Sequence, residues 1–327
     1  MKKAVCISRL KIDIQDAPIP VPAPRQVLIE TKGCGLCTTD IYRISGKDPL
    51  SSFPNENIGH EPNGVVVEVG KEVTRFRPGD RVTTLWAVGG FTAFAEYYLQ
   101  DEDLTFHLPD DIPFEFGLCE PLFAAAKGAI CAGILPGDTV AVVGVGFFGQ
   151  LLAQAARFQG AWKVAAFDKI ERRLEIAKKH GVDAIYNVSG DGVQIALREL
   201  TNGNGFDTVI ECAGVEGAFD TATELVRPGG TIYSYALHVQ PEKINPQPWH
   251  WKGFRILNNN WMFPFTIPSE RIKRLAEIGL DWVRRGFWSM DELITGITPL
   301  DDLEATVYTA IYHPEKIMKA VIGKSRG

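Results

Sequence analysis

The chain lacks the features that mark several protein classes. Six cysteines in 327 residues are too sparse for a disulfide framework. Free thiols or metal ligands are therefore the expected uses of Cys6, Cys34, Cys37, Cys119, Cys131 and Cys212. No apolar run approaches the roughly 20 residues that span a bilayer. The longest, from Thr139 to Gly149, is bounded by Asp138 and Gln150. Lys2 and Lys3 open the chain, but Arg9 and Lys11 follow too soon for a signal core, and a cytoplasmic location is expected. Basic charge is not in excess. The net charge of −6 argues against nucleic acid or an anionic membrane as partner and leaves a small molecule as the expected one. Internal repeats and low-complexity segments are also absent.

What is present is an ordinary globular composition, 45% hydrophobic and 23% charged. The length favours two domains, because a single core rarely grows past about 250–300 residues. The first part of the chain reads as β-rich. Val27–Cys34, Gly64–Val69, Arg81–Thr84 and Phe94–Leu99 are strand-like, and Arg77-Pro78-Gly79-Asp80 is a turn. Phe116–Cys131 reads as a helix. A regular alternation follows: strands at Thr139–Val143, Lys163–Phe167, Ala184–Val188, Phe206–Cys212, Thr231–Ala236 and Phe254–Leu257, most of them separated by helices. Such alternation predicts a parallel, doubly wound sheet. After Pro264 it ends, and Ser269–Arg285 reads as an amphipathic helix.

The strongest local motif is Gly144-Val145-Gly146-Phe147-Phe148-Gly149, at the end of an apolar strand and the start of a helix. Glycines at this spacing allow a tight turn, close approach of a pyrophosphate and close packing of helix on sheet. The helix N-terminus offers N–H donors and the positive end of its dipole. The next strand ends at Asp168, near the expected spacing of about 20 residues. A carboxylate there accepts from a ribose 2′-hydroxyl and repels a 2′-phosphate, which favours NAD over NADP. Lys169, Arg172 and Arg173 beside it weaken that preference, and Arg173 is counted with the cofactor-contacting residues.

A second constellation joins Cys37-Thr38-Thr39-Asp40, Gly59-His60-Glu61-Pro62 and, far along the chain, Cys119-Glu120-Pro121. A thiolate, an imidazole and a carboxylate on separate loops suit zinc. Fewer than four firm protein ligands leave a position for water or substrate, the mark of a catalytic ion. Cys34 falls in a strand-like stretch without a second CxxC and reads as packing.

Together these segments, with Arg77-Pro78-Gly79-Asp80-Arg81-Val82, Val209-Ile210-Glu211-Cys212-Ala213-Gly214 and Arg227-Pro228-Gly229-Gly230, resemble the zinc alcohol dehydrogenases of the medium-chain dehydrogenase/reductase family. The nearest branch is that of polyol dehydrogenases such as sorbitol dehydrogenase. The resemblance implies an α/β chain: a GroES-like β-rich catalytic domain from residues 1–124 and 264–327, a Rossmann NAD-binding domain from 125–263, and an active site in the cleft between them. It implies a homodimer or homotetramer. Position by position, Cys37, His60 and Glu61 fall on zinc positions. Glu120 falls where the polyol branch has a glutamate, binding zinc directly or holding a zinc-bound water. Cys119 is its rival. In a helix the two side chains point about 100° apart, so only one faces the metal, and Pro121 favours Glu120. Asp40 matches the carboxylate that orients the zinc histidine, and Thr39 the hydroxyl that takes the alcohol proton.

Three departures from the family pattern matter. No cysteine follows Thr83 through Phe91, where many relatives carry a structural zinc lobe, so one catalytic zinc per chain and no structural zinc is expected. Tyr42 replaces a histidine that often ends the proton relay. Phe147 and Phe148 are bulky, and Phe148 falls where a side chain backs the nicotinamide. The expected reaction moves a hydride between NAD(H) and a secondary alcohol or ketone, with a polyol, sugar or cyclitol as substrate. Tyr42, Arg43, Lys47, Trp86, Phe91 and Trp249 are candidates to approach it, and His250 and Asn258–Asn260 candidates for an accessory role. The alternatives are a zinc-free reductase of quinone reductase type, which would not need the four metal-site residues together, and a non-enzymatic relative, which would need neither motif.

Overall fold

The computed structural model describes residues 1–49, 51–86, 92–259 and 269–323. It divides into two compact units: Met1–Ala124 with Glu270–Arg285 and Met290–Gly327, and Ala125–Ser269 with Gly286–Ser289. No helix among the described residues is long and apolar enough to cross a membrane.

The first unit is built on antiparallel pairing. β1 (Lys2–Ser8) and β2 (Lys11–Asp16) form a hairpin. The main sheet is centred on β3 (Gln26–Gly35) and β4 (Glu61–Val69). It continues through β5 (Arg81–Thr84) to β7 (Thr105–His107) on one side. On the other side β3 pairs with β15 (Lys319–Gly323), which pairs with β14 (Ile294–Thr298). β6 (Tyr97–Asp101) also pairs with β3. β-branched residues on β3 and β4 turn one face inward, where Val27, Ile29, Cys34 and Val66 pack with Ile44, Ile58, Phe94 and Ile322. Each fully buried aliphatic or aromatic side chain of this kind contributes about 1.5–3 kcal/mol.

The second unit is a parallel sheet. Its strands are β8 (Thr139–Val143), β9 (Lys163–Asp168), β10 (Ala184–Asn187), β11 (Phe206–Glu211), β12 (Val226–Ser234) and β13 (Arg255–Asn258). They lie in the order β10-β9-β8-β11-β12-β13. Every residue of β8 is buried, as a central strand covered on both faces requires. The order changes direction between β8 and β11, and in such sheets the crevice at that switch point is where ligands bind.

Local differences from the sequence expectations have physical causes. The helix expected from Phe116 begins at Cys119 (α2, Cys119–Cys131). Residues 114–117 form turns instead, with Phe116 and Gly117 donating to the Pro113 carbonyl and the Asn63 amide donating to the Phe114 and Gly117 carbonyls. Pro121 is tolerated because it falls in the first helical turn. The strand expected at Phe94–Leu99 begins at Tyr97, since Ala95 forms only an isolated bridge, to Lys3. Gly286–Ser289, expected with the head and tail, packs in the second unit, where the buried Trp288 indole donates to the Leu151 carbonyl at 2.8 Å.

Candidate active site

The metal-site residues come from three places in the first unit. Cys37 caps the N-terminus of α1 (Thr38–Ile44), His60 precedes β4, and Glu61 is its first residue. The carboxylate therefore stands on a strand, not on the loop expected for it. One ligand atom from each of Cys37, His60 and Glu61 lies within 4.8 Å of the other two. Ligands around a tetrahedral zinc, bonded at about 2.0–2.3 Å, stand about 3.3–3.8 Å apart, so a small contraction closes the set.

Asp40 sits behind the histidine. It is fully buried, and its Oδ1 accepts from the Gly59 N–H at 2.8 Å and faces His60 Nδ1 at 3.3 Å. Its Oδ2 accepts the Cys37 N–H at 3.1 Å. Burial pushes the Asp40 carboxyl up, but His60 and the two N–H donors outweigh it and hold it below the usual range. With Nδ1 engaged, Nε2 is the ring nitrogen left for a metal, as in a ligand histidine. Burial opposes a charge on His60, yet Asp40 and Cys37 raise it well above its ordinary value.

Lys319, which no motif marks, joins this site. This lysine opens β15 and is buried, with its ammonium against Glu61 Oε2. Burial alone would lower it, but Glu61, Cys37 and Glu120 raise it overall. Glu61 Oε1 is buried without a hydrogen-bond partner, an acceptor that suits a cation. Gly35 makes room for the pair: a Cβ there would stand 2.0 Å from Glu61 Oε2 and 3.0 Å from Lys319 Cε. The available signal was a charge opening the apolar run Lys319-Ala320-Val321-Ile322, at a register that only the pairing with β3 reveals.

Glu120 stands in the first turn of α2, outside the close set of three ligands. Burial, then Glu61 and Asp40, push its carboxyl up to about 7, against His60 and Lys319. Cys119 is fully buried; burial and the Glu120 and Glu277 charges raise its thiol well above the ordinary range. Thr39 and Tyr42 are half-buried on α1, and burial followed by Cys37 raises the Tyr42 phenol. Cys34 is buried in the core, where burial first and the Asp40 charge next raise its thiol.

In the second unit, Gly146 caps α3 (Phe147–Phe158). Gly144 has φ +84°, and a Cβ on it would stand 2.7 Å from Ala213 Cα. A Cβ on Gly149 would stand 2.0 Å from the Gly144 carbonyl oxygen. Asp168 ends β9, and its carboxylate accepts the N–H groups of Val145 and Ile170, both at 2.9 Å. Arg173 approaches it at 3.8 Å. The Phe148 ring lies 5.6 Å from that of Phe147 and 5.3 Å from that of Tyr235.

The other candidate substrate residues differ in their surroundings. Trp249 is half-buried and packs against the core of the second unit beside Phe219 and Phe254. Arg43, on α1, bonds to Asp48 and to the Asn57 carbonyl, and Lys47 is exposed. Trp86 packs edge-on against Phe123. His250 is exposed on a short helix beside Trp251. Asn259 ties strand ends, donating to the Ser234 and Tyr235 carbonyls. Phe91 and Asn260 lie outside the described residues.

Two family models match the chain: an alcohol dehydrogenase GroES-like domain over residues 23–110 and a zinc-binding dehydrogenase over residues 148–279. An alcohol dehydrogenase of Cupriavidus necator is 30% identical, with 98% of each chain covered. A sorbitol dehydrogenase of Halalkalibacterium halodurans is 30% identical over 70% of this chain and 74% of its own. The crystal structure of 2R,3R-butanediol dehydrogenase from Bacillus subtilis superposes with a TM-score of 0.82 at 26% identity, covering 99% of both chains. The GroES-like match falls on the unit that carries Cys37, His60 and Glu61, and the zinc-binding dehydrogenase match begins at the glycine turn. The chain therefore belongs to the zinc-type alcohol dehydrogenase family, with a GroES-like and a Rossmann domain, and is an oxidoreductase acting on alcohols.

Proposed function

We propose that the protein interconverts a secondary alcohol and its ketone with NAD(H), that the alcohol is a polyol, sugar or cyclitol, and that one catalytic zinc per chain and no structural zinc serves the reaction. The observation that carries the reading is the convergence of Cys37, His60 and Glu61 with Asp40 behind the imidazole. A thiolate, an imidazole nitrogen and a carboxylate oxygen match the donor chemistry of catalytic zinc. Bound zinc supplies Lewis acidity to the alcohol oxygen, and bound nicotinamide supplies the hydride acceptor.

The chain's own residues do the rest. Asp40 fixes the His60 ring and the position of Cys37 through the hydrogen bonds above. Lys319 neutralises Glu61, and Glu120 adds a second carboxylate to the same electrostatic neighbourhood. Thr39 receives the substrate proton at its hydroxyl, and Tyr42, on the next turn of α1, carries it outward. The glycine turn and the N-terminus of α3 hold the pyrophosphate. Asp168 takes the adenosine ribose, since a carboxylate oxygen that already accepts one N–H retains acceptor capacity. It also favours NAD over NADP, with Arg173 reducing the discrimination. The names of the relatives, sorbitol and butanediol dehydrogenases, support a polyhydroxylated substrate.

Assembly as a homodimer or homotetramer belongs to the same reading. Among the described residues β13 is the last strand of its sheet, with Leu257 exposed, an edge that a second copy can extend.

The test is zinc content of dialysed protein, paired with NAD⁺ reduction across a polyol and cyclitol panel before and after chelation. One zinc per chain with chelator-sensitive turnover is expected. Turnover that survives complete removal of metal would refute the zinc mechanism.

A further inference from the structure

Strand order dictates how a dinucleotide crosses the second unit. β8 lies between β9 on one side and β11 and β12 on the other. Asp168, at the end of β9, marks the adenosine side. The nicotinamide half therefore runs over the carboxyl ends of β11 and β12.

A carboxylate–imidazole–carboxylate bridge stands at those ends. Glu211, the last residue of β11, is fully buried. Its Oε1 accepts the N–H groups of Ala213 and Gly214, both at 2.8 Å. Its Oε2 lies 2.9 Å from His238 Nε2, and His238 Nδ1 lies 2.6 Å from Glu242 Oε1. The Glu211 carbonyl also accepts from Tyr235 and Ala236 at 2.9 and 3.1 Å.

This bridge links two parts of the cofactor site. Ala213 is the wall that Gly144 packs against, and a Cβ on Gly214 would stand 3.1 Å from both Ala236 Cβ and the Leu237 carbonyl oxygen. Tyr235 touches Phe148 at the start of α3. Beyond Leu237 the backbone has neither helix nor strand until Gln247, so side-chain bonds carry much of its order. Bonds to charged groups are the strong ones available for that task.

We propose that His238 is a positioning residue for the nicotinamide half of the cofactor: by joining Glu211 to Glu242 it holds the segment from Tyr235 to His238 over the ends of β11 and β12. The proposal rests on the dinucleotide reading above. The test uses the full chain and compares NADH, followed by its fluorescence, with ADP-ribose, which lacks the nicotinamide, followed by calorimetry. His238→Gln cannot reach both carboxylates in the same geometry. Glu242→Ala removes only the outer contact and leaves the buried Glu211 paired.

In both variants the Kd for NADH should rise about tenfold, while that for ADP-ribose stays within about twofold. A parallel loss of both ligands would mean that the bridge only supports the fold, and unchanged NADH affinity would mean that it positions nothing; either overturns the proposal. If the unaltered protein binds neither ligand, the dinucleotide reading fails first and the proposal with it. That result is distinct from a protein that binds both ligands but shows no split in its variants.

Discussion

The Lys319 ammonium rests against Glu61 inside the first unit, with 4% of one side chain and none of the other exposed. The two residues start strands that both pair with β3, and β3 contributes Gly35, whose missing side chain leaves room for both of theirs. A buried carboxylate without a counter-charge would take up a proton. Lys319 supplies that counter-charge at Oε2, while Oε1, buried without a hydrogen-bond partner, is left to meet a cation.

Removing that cation should be costly and should respond to metal. Lys319→Met leaves Glu61 buried and uncompensated, with an expected loss of about 3–5 kcal/mol in denaturant unfolding of the metal-free protein. Zinc supplies positive charge at the same carboxylate, so it should restore more stability to the variant than to the unaltered chain. A loss of the same size with and without zinc would show that Lys319 serves packing alone.

Asp40 acts through His60. Asp40→Asn keeps the volume but loses the charge that opposes burial of the imidazole, and one of its donors or acceptors is then mismatched. Zinc affinity, read by competition with a chromogenic chelator, should fall about 10–100-fold. Cys34→Ala should leave it unchanged, because that thiol is buried in the core cluster. Loss of zinc affinity in Cys34→Ala would return Cys34 to the metal site.

The contrast between these residues bears on what the sequence made legible. The glycine turn and Asp168 were readable because the parts of a strand–turn–helix–strand unit lie close together in the chain. Cys37, His60 and Glu61 were readable by residue type and by family pattern. Lys319 was not, since only the antiparallel register of β15 on β3 brings it to Glu61. Glu211 and His238 escaped for the same reason: the loop after β12 has no periodicity, and only the folded chain pairs them. Trp249 shows another limit. A lone aromatic carries no mark of whether it faces a sugar or a core, and the fold sets it half-buried beside Phe219 and Phe254.

Glu120 gives the metal-free protein a pH signature. Burial raises its carboxyl from 4.5 to about 7 in the folded state. A group whose folded value lies above its unfolded one holds its proton when folded. Its contribution to stability is complete below the unfolded value and is lost as pH rises through the folded one. The metal-free chain should therefore lose stability between about pH 4.5 and 7, and Glu120→Gln should flatten that part of the profile. Unfolding midpoints across this range, taken in chelator, provide the measurement. An unchanged slope in Glu120→Gln would assign the titration to another group.

Two glycines separate crowding from flexibility in the second unit. A Cβ on Gly149 would lie 2.0 Å from the Gly144 carbonyl oxygen, whereas one on Gly190 would meet nothing within 4 Å. Gly149→Ala must force α3 away from the turn, at an expected cost of about 1–3 kcal/mol. ADP-ribose binding should weaken at least about tenfold, because the N–H groups at the start of α3 would hold the pyrophosphate. Gly190→Ala should leave binding intact and be neutral or stabilising by up to about 1 kcal/mol, through the entropy of the unfolded chain. Zinc content should be unchanged in both, since the metal residues belong to the other unit. If Gly149→Ala bound ADP-ribose normally, the close approach of α3 to the turn would be a packing feature only, and the pyrophosphate would have to be held elsewhere.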